Sequence, residues 1–261
     1  MNLDLTGKNA LVCGSSKGIG KAIAIELSLL GANITLTARS ENVLIEVLKE
    51  LDTSKGQKHD FVLADFSKPE ELKELIQHQL RDTTYQILIN NTGGPSPGNI
   101  IDATPSQFET AFRSHLICNH ILATLLIPGM KKSDYGRIIN VISTSVKIPI
   151  KGLGVSNTIR AAVANWSKTM ASELAPFGIT VNNILPGSTS TERLQEIIQN
   201  QAHKSETSYD EKEKDWIKEI PMKRFGDPSE IAAAAAFLAS PAASYITGIN
   251  VPVDGGRTGS L

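Results

Sequence analysis

Seven short apolar runs, rich in β-branched residues and separated by segments of helical periodicity, limit what this chain can fold into. The runs lie at 10–13, 34–38, 61–64, 87–89, 137–142, 180–185 and 250–253. Between them, segments 42–51, 69–80, 105–130, 160–175 and 229–239 space their apolar residues as an α-helix does. A strand that is apolar on both faces needs cover on both faces, and alternating helices supply it. The expected architecture is an α/β fold, doubly wound, around a mostly parallel sheet. A length of 261 residues suits a single large domain, residues 1–261, with a sizeable core.

The first run opens into glycines. Asn9-Ala-Leu-Val-Cys13 leads into Gly14-Ser-Ser-Lys-Gly18-Ile-Gly20, and an amphipathic stretch starts at Lys21. A strand feeding a helix through such a turn lets backbone approach a phosphate closely. The helix N-terminus then offers its unpaired N–H groups and positive dipole end to that charge. The spacing is GxxxGxG and not the GxxxxGK[ST] of an ATP-type loop, which favours a dinucleotide. Its place at the head of alternating strands and helices points the same way.

Composition narrows the function classes. The formal net charge is −1, which gives no basic face for nucleic acid or an anionic membrane. No apolar run approaches the ~20 residues that span a bilayer, and no basic-then-apolar leader is visible at Met1. A cytoplasmic protein is expected. The two cysteines, Cys13 and Cys118, read as reduced structural thiols. One break in composition, residues 191–218, is rich in Glu, Lys, Gln and Ser and carries His203, Tyr209 and Trp216. It follows a strand end, where such sheets bind ligands. Residues 191–220 therefore read as a substrate lid, with a solvated surface segment as the plainer alternative.

Further motifs follow the glycine loop in order. They are Asp65 after the third strand, Asn90-Asn91-Thr92-Gly93 after the fourth, Gly136-Arg-Ile-Ile-Asn-Val-Ile-Ser143, Pro186-Gly187-x-x-x-Thr191, and Tyr245-Ile-Thr-Gly-Ile-Asn-Val-Pro-Val-Asp-Gly-Gly256. With these motifs the chain resembles the short-chain dehydrogenase/reductase family over essentially its whole length. The segments Asn-Thr-Gly-Gly-Pro95 and Ser156-Asn-Thr-Ile-Arg160 are similar to a divergent branch usually labelled as resembling 3-oxoacyl-[acyl-carrier-protein] reductases. The resemblance implies a seven-stranded Rossmann-type sheet, a nicotinamide dinucleotide and a small-molecule substrate. It also implies a homo-oligomer, tetramer or dimer, built through the long helices of the middle of the chain.

Carried over residue by residue, the resemblance gathers Gly14, Ser15, Ser16, Lys17, Gly18, Ile19 and Gly20 around the pyrophosphate, with Gly20 packing the helix onto the sheet. It sets Asp65 at the adenine, Asn91 and Gly93 along the adenosine ribose, and Pro186, Gly187, Thr189 and Thr191 near the nicotinamide. Asp65 also reads as a helix cap, since Ser67-Lys-Pro69 follows. At the end of the second strand Ala38 stands where an NAD-selecting acid would be, and Arg39 comes next. Arg39 and Lys17 together present two cations to a 2′-phosphate. NADP(H) is the expected cofactor, and no metal is expected.

The family's catalytic group is an Asn, a Ser, a Tyr and a Lys, the last two spaced YxxxK. Ser143 matches the serine. Counted forward from it, the tyrosine position is Ser156 and the lysine position Arg160, and counted back along the helix before Gly136 the asparagine position is His115. These four are the candidate catalytic residues, and Arg160 is also the candidate for the nicotinamide ribose. A serine hydroxyl is a far weaker acid than a phenol, and a guanidinium does not exchange its proton. Cofactor binding should thus survive these replacements better than carbonyl chemistry. Tyr85 and Tyr135 precede strands and Tyr245 belongs to the C-terminal motif, which leaves Tyr209 as a substitute acid. Lys147 and Lys151 lie in a loop expected to border the pocket and hint at an acidic group on the substrate. His115 has a suitable unperturbed pKa, but in an apolar helix a structural histidine is the plainer reading. Two functions stay open. One is an NADP(H)-dependent oxidoreductase acting on a small carbonyl or conjugated enone, with Ser143, Ser156 or water in the tyrosine's role. The other is a catalytically inactive NADP(H)-binding sensor or assembly subunit.

Overall fold

Each of the seven apolar runs forms a strand in the computed structural model, which describes residues 1–260. β1 (Asn9–Cys13) runs into α1 (Gly18–Leu29), β2 (Asn33–Ala38) into α2 (Glu41–Glu50) and β3 (Asp60–Leu63) into α3 (Pro69–Gln79). β4 (Ile87–Asn90) leads to α4 (Pro105–Phe112) and α5 (Cys118–Lys132), and β5 (Gly136–Val141) to α6 (Gly154–Leu174). After β6 (Ile179–Pro186) come α7 (Glu192–Lys204), α8 (Tyr209–Lys218) and α9 (Pro228–Ala239), and β7 (Asn250–Val253) completes the sheet. The strands pair in parallel throughout, in the order β3-β2-β1-β4-β5-β6-β7. The chain reverses its direction of travel across the sheet between β1 and β4, so the strand ends open a crevice there.

Burial on both faces explains the unbroken apolar runs. In β1, Ala10 and Val12 enter one core while Leu11 and Cys13 enter the other. The first core is closed by Ile23 and Leu27 of α1, Val47 of α2 and Ile231 of α9. The second is closed by Ile76 of α3, Leu126 of α5 and Met170 of α6. Ala232, Ala235, Ala236 and Ala239 are all buried, and their short side chains let α9 lie close against α1. Cys13 and Cys118 are free, buried thiols, and burial pushes both pKa values up, that of Cys118 to about 12.

Three helical segments differ from the sequence expectation. α6 starts at Gly154, ahead of the expected 160, so Ser156 and Arg160 share one helix. Glycine is needed at that start, because a Cβ there would lie 2.6 Å from the Cβ of Ile100. The segment expected as one helix over 105–130 is α4 and α5 joined by a π-helical turn, Arg113–Ile117, which carries His115. The polar break after Thr191 forms two helices, α7 and α8, each started by a side-chain cap, Thr191 and Ser208.

One feature joins four neighbouring strands through their side chains. Asn90 donates its amide to Asn140 Oδ1 at 2.8 Å, Asn140 to Asn183 Oδ1 at 2.9 Å, and Asn183 to Asn250 Oδ1 at 2.8 Å. The register brings these residues side by side from β4 to β7. The Oδ1 of Asn90, at the head of the ladder, is buried without a hydrogen-bond partner.

Candidate active site

A cleft of about 980 Å³ runs along the carboxyl ends of the strands, from the loop after β2 to the segment after β7. Its wall at β1 is the glycine loop. Gly14 and Gly18 adopt φ of 59° and 56°, a region that disfavours side chains. Gly20 is required for a different reason, since a Cβ there would lie 2.2 Å from the carbonyl oxygen of Gly14. It therefore closes the loop on itself, where sheet packing was expected. Asn91 donates to the carbonyls of Cys13 and Gly14 at 3.3 and 3.2 Å and ties the β4 loop to this turn.

α1 begins with neither a side-chain cap nor an acidic residue in its first turn. Its leading N–H groups are therefore available to an anion, which is what a pyrophosphate requires. Ser16, Lys17, Gly18 and Ile19 line the cleft with Gly14, while Ser15 and Gly20 do not. Ser15 turns inward: its hydroxyl is fully buried and accepts from the Thr37 N–H at 2.9 Å. Its expected place at the phosphate is corrected to a brace between the loop and β2.

Arg39 and Asp65 line the cleft at the ends of β2 and β3. Asp65 Oδ1 accepts from the Ser67 N–H at 2.9 Å. That bond, with a smaller contribution from the Arg39 charge, holds its carboxyl below the usual range. Asn91, Gly93, Pro186, Gly187, Thr189 and Thr191 also line the cleft. Thr191, just before α7, lies over the glycine loop, for a Cβ on Gly18 would come 3.3 Å from its methyl. Lys17 and Glu192 form an ion pair between the loop and α7.

Of the four candidate catalytic residues, Ser143 and Arg160 line the cleft; Ser156 and His115 do not. Ser143 accepts from the Ser145 N–H at 3.0 Å, which leaves its own proton free to donate. Arg160 is only 8% exposed and donates to the carbonyls of Val141 at 3.0 Å and Thr92 at 3.1 Å. It clamps the ends of β4 and β5 together. No carboxylate pairs with it among the described residues, and burial draws its pKa down to about 10. Ser156, one turn before Arg160, is half-buried behind the wall. His115 is buried, its Nδ1 hydrogen-bonded to the Thr92 hydroxyl. Burial first, and the Arg160 charge second, lower its pKa to about 2. A histidine so held stays neutral and positions the β4 loop; the proton exchange that its ordinary pKa suggested is absent.

The substitute acids fare no better. Tyr85 donates to Thr35 Oγ1 at 2.9 Å and Tyr135 to the Ala239 carbonyl at 2.6 Å, both away from the cleft. Tyr245 is exposed, and Tyr209 lies on α8 outside the lining with its hydroxyl 3.4 Å from Glu213. The loop after β5 borders the cleft through Ile150 and Leu153, but Lys147 and Lys151 do not reach it. Among the described residues the lining contains no His, Cys or Tyr.

Three lining residues were not foreseen. Arg193, in the first turn of α7, donates to the Pro95 carbonyl at 2.9 Å. Arg257 donates to the Ser188 hydroxyl at 3.3 Å, pairs with Glu219, and lies over the Trp216 ring at 5.3 Å. Trp216 had been assigned only to the lid. Arg257 directly follows Gly256 and Arg193 lies two residues after Thr191, and that nearness to recognised motifs is the available signal.

The model for enoyl-(acyl carrier protein) reductases matches residues 14–258. Glucose 1-dehydrogenase 2 of Bacillus subtilis is 34% identical over 99% of this chain and 97% of its own. The NADPH-dependent reductase BacG of the same organism is 30% identical over 98% of this chain and 100% of its own. The crystal structure of L-sorbose reductase from Gluconobacter frateurii, complexed with NADPH and L-sorbose, superposes with a TM-score of 0.93 at 30% identity, each chain covered in full. With this sheet, this cleft and these relatives, the chain belongs to the short-chain dehydrogenase/reductase family.

Proposed function

We propose that this protein is an NADP(H)-dependent oxidoreductase of a small carbonyl or conjugated enone compound. The observation that carries the proposal is the cleft itself. It joins an uncapped helix N-terminus with Lys17 and Arg39 beyond it at one end to Ser143 and Arg160 at the other. The printed descriptions of BacG and of the sorbose reductase complex name NADPH, which supports the same cofactor here. The glycine loop and the α1 N-terminus would hold the pyrophosphate, Arg39 the 2′-phosphate, and residues 186–191 the nicotinamide end. When bound, the reduced nicotinamide supplies a hydride.

The lining residues favour the enone. Reducing a ketone requires a proton on oxygen as charge develops, and among the described residues no Tyr, His or Cys lines this cleft to supply it. With an enone, hydride adds to the β-carbon and the π electrons move to oxygen as an enolate. A solvent proton then reaches the α-carbon, and the C=C bond is reduced. Ser143 can donate its free O–H to the enolate oxygen, and Arg160 supplies fixed positive charge nearby. Residues 191–220 form the lid over this end, and the chain assembles through its middle helices as a dimer or tetramer in the cytoplasm. The absence of Tyr from the lining supports one second reading, an inactive NADP(H)-binding sensor or assembly subunit.

Calorimetric binding of NADPH and NADH, followed by absorbance of the reduced nicotinamide over a carbonyl and enone panel, separates the two readings. Tight NADPH binding with enone turnover establishes the reductase. Tight binding with no turnover anywhere leaves the sensor, and no binding of either cofactor refutes both.

A further inference from the structure

The cleft carries far more positive charge than the chain as a whole. Six cationic side chains line it against two carboxylates, in a protein of net charge −1. The two carboxylates, Asp65 and Glu192, stand toward the β1–β3 side, where Lys17 and Arg39 answer the phosphates of the cofactor proposed above. Arg257 follows β7, five strand steps from β2 in the sheet order, or ~24 Å at the usual strand spacing. Arg257 therefore lies beyond the reach of the adenosine phosphates.

From the ends of β4 and β5 to the segment after β7, the cleft suits an anion. Arg160 is a buried cation without a carboxylate partner, an arrangement that costs free energy unless an anion completes it. Arg193 and Arg257 face the same space from the lid and the C-terminal segment. Each is braced: Arg193 by Glu196 and the Pro95 carbonyl, Arg257 by Glu219 from outside the lining and by Ser188 within it. Bracing fixes the direction of a guanidinium and leaves further N–H donors for a ligand. Trp216, under Arg257, offers a flat apolar surface beside the charge, and Ile150 and Leu153 also line the cleft.

From this placement, and resting on the proposed reductase function, we infer that the substrate is a carboxylate-bearing enone or ketone with a planar or ring-shaped apolar body. Arg257 and Arg193 bind the carboxylate and Trp216 packs against the body. These residues decide specificity, while the reduction itself is left to the nicotinamide end of the cleft.

The test uses the full-length protein with 3-benzoylacrylate, an enone acid, and its methyl ester. A charge-assisted contact of this kind separates acid from ester by roughly tenfold to a hundredfold in kcat/KM. Arg257→Met and, independently, Arg193→Met should each collapse that ratio toward unity, whereas Lys204→Met, an exposed change elsewhere on α7, should preserve it. Arg257→Lys, which keeps the charge, should restore part of the preference. An ester used as well as the acid by the unaltered protein overturns the inference, and so does an acid preference that survives both arginine changes. If neither compound turns over, calorimetric binding of acid and ester, with and without NADP⁺, decides the same point: tighter binding of the acid upholds the inference and equal binding overturns it. Failure of NADPH to bind at all counts against the proposed function and is read separately.

Discussion

Replacing Asn140 by leucine tests whether the asparagine ladder fixes the sheet beneath the cleft. Asn140 is completely buried, accepts from Asn90 at 2.8 Å and donates to Asn183 at 2.9 Å. Leucine removes both bonds and leaves the Asn90 amide and the Asn183 oxygen unpaired, each 3% exposed or less. A buried polar group left without a partner costs ~1–3 kcal/mol, so the two together cost ~2–6 kcal/mol. Burying an apolar side chain in place of the amide offsets about 1 kcal/mol of this. The expected loss is ~1–5 kcal/mol out of a total stability of ~5–15 kcal/mol. It should appear as a lower urea midpoint at unchanged m, read by circular dichroism. Asn140→Leu with Asn183→Leu should cost less than the two single changes added, because the orphaned acceptor is then gone; Asn250, on the exposed edge strand, can turn to water. A single-mutant loss below ~1 kcal/mol, or strict additivity in the double mutant, refutes the reasoning.

Arg39→Ala should weaken NADPH binding by about tenfold to a hundredfold and NADH binding little, measured by calorimetry. Lys17→Met should have a smaller effect, because Lys17 is engaged with Glu192. With an enone substrate, kcat should stay flat between roughly pH 6 and 9, since among the described residues the cleft lining holds no His, Cys or Tyr; a bell-shaped profile would reveal an acid that the cleft does not show. His115 remains neutral in the folded protein down to about pH 2, while the unfolded chain takes up a proton below about 6.5. The unfolded state thus binds more protons in that window, so this contribution is fully present above pH 6.5 and is lost as pH falls. Between pH 7.5 and 5 it removes about 2 kcal/mol, and His115→Asn should flatten urea midpoints over that range by this amount. Gly20→Ala pushes a methyl into the Gly14 carbonyl, so NADPH affinity should fall at least tenfold, with a lower melting temperature.

The sequence alone determined the element order, the parallel sheet and the glycine-loop wall of the cleft. Periodicity decides which faces must be covered, and the glycine loop, the bare start of α1 and the Pro69 and Pro228 helix starts are short-range steric facts. They depend on neighbours along the chain, so one sequence suffices to read them. The motif spacing also carried Ser143 and Arg160 correctly to the cleft.

Only the tertiary structure decided which of the aligned residues reach that cleft. Ser156 and Arg160 lie one helical turn apart on α6, yet the packing of that helix turns only Arg160 into the opening and spends two of its donors on the ends of β4 and β5. The ordinary pKa of an imidazole says nothing of the burial that keeps His115 neutral. Ser15 looked like its glycine-loop neighbours and faces the other way. Arg193 and Arg257, far apart in the chain, meet one space because β6 and β7 are adjacent in the sheet. The asparagine ladder exists because strand register aligns four residues from distant segments. These outcomes are set by which surfaces pack together, an energy shared among residues remote in sequence, and no local pattern records it.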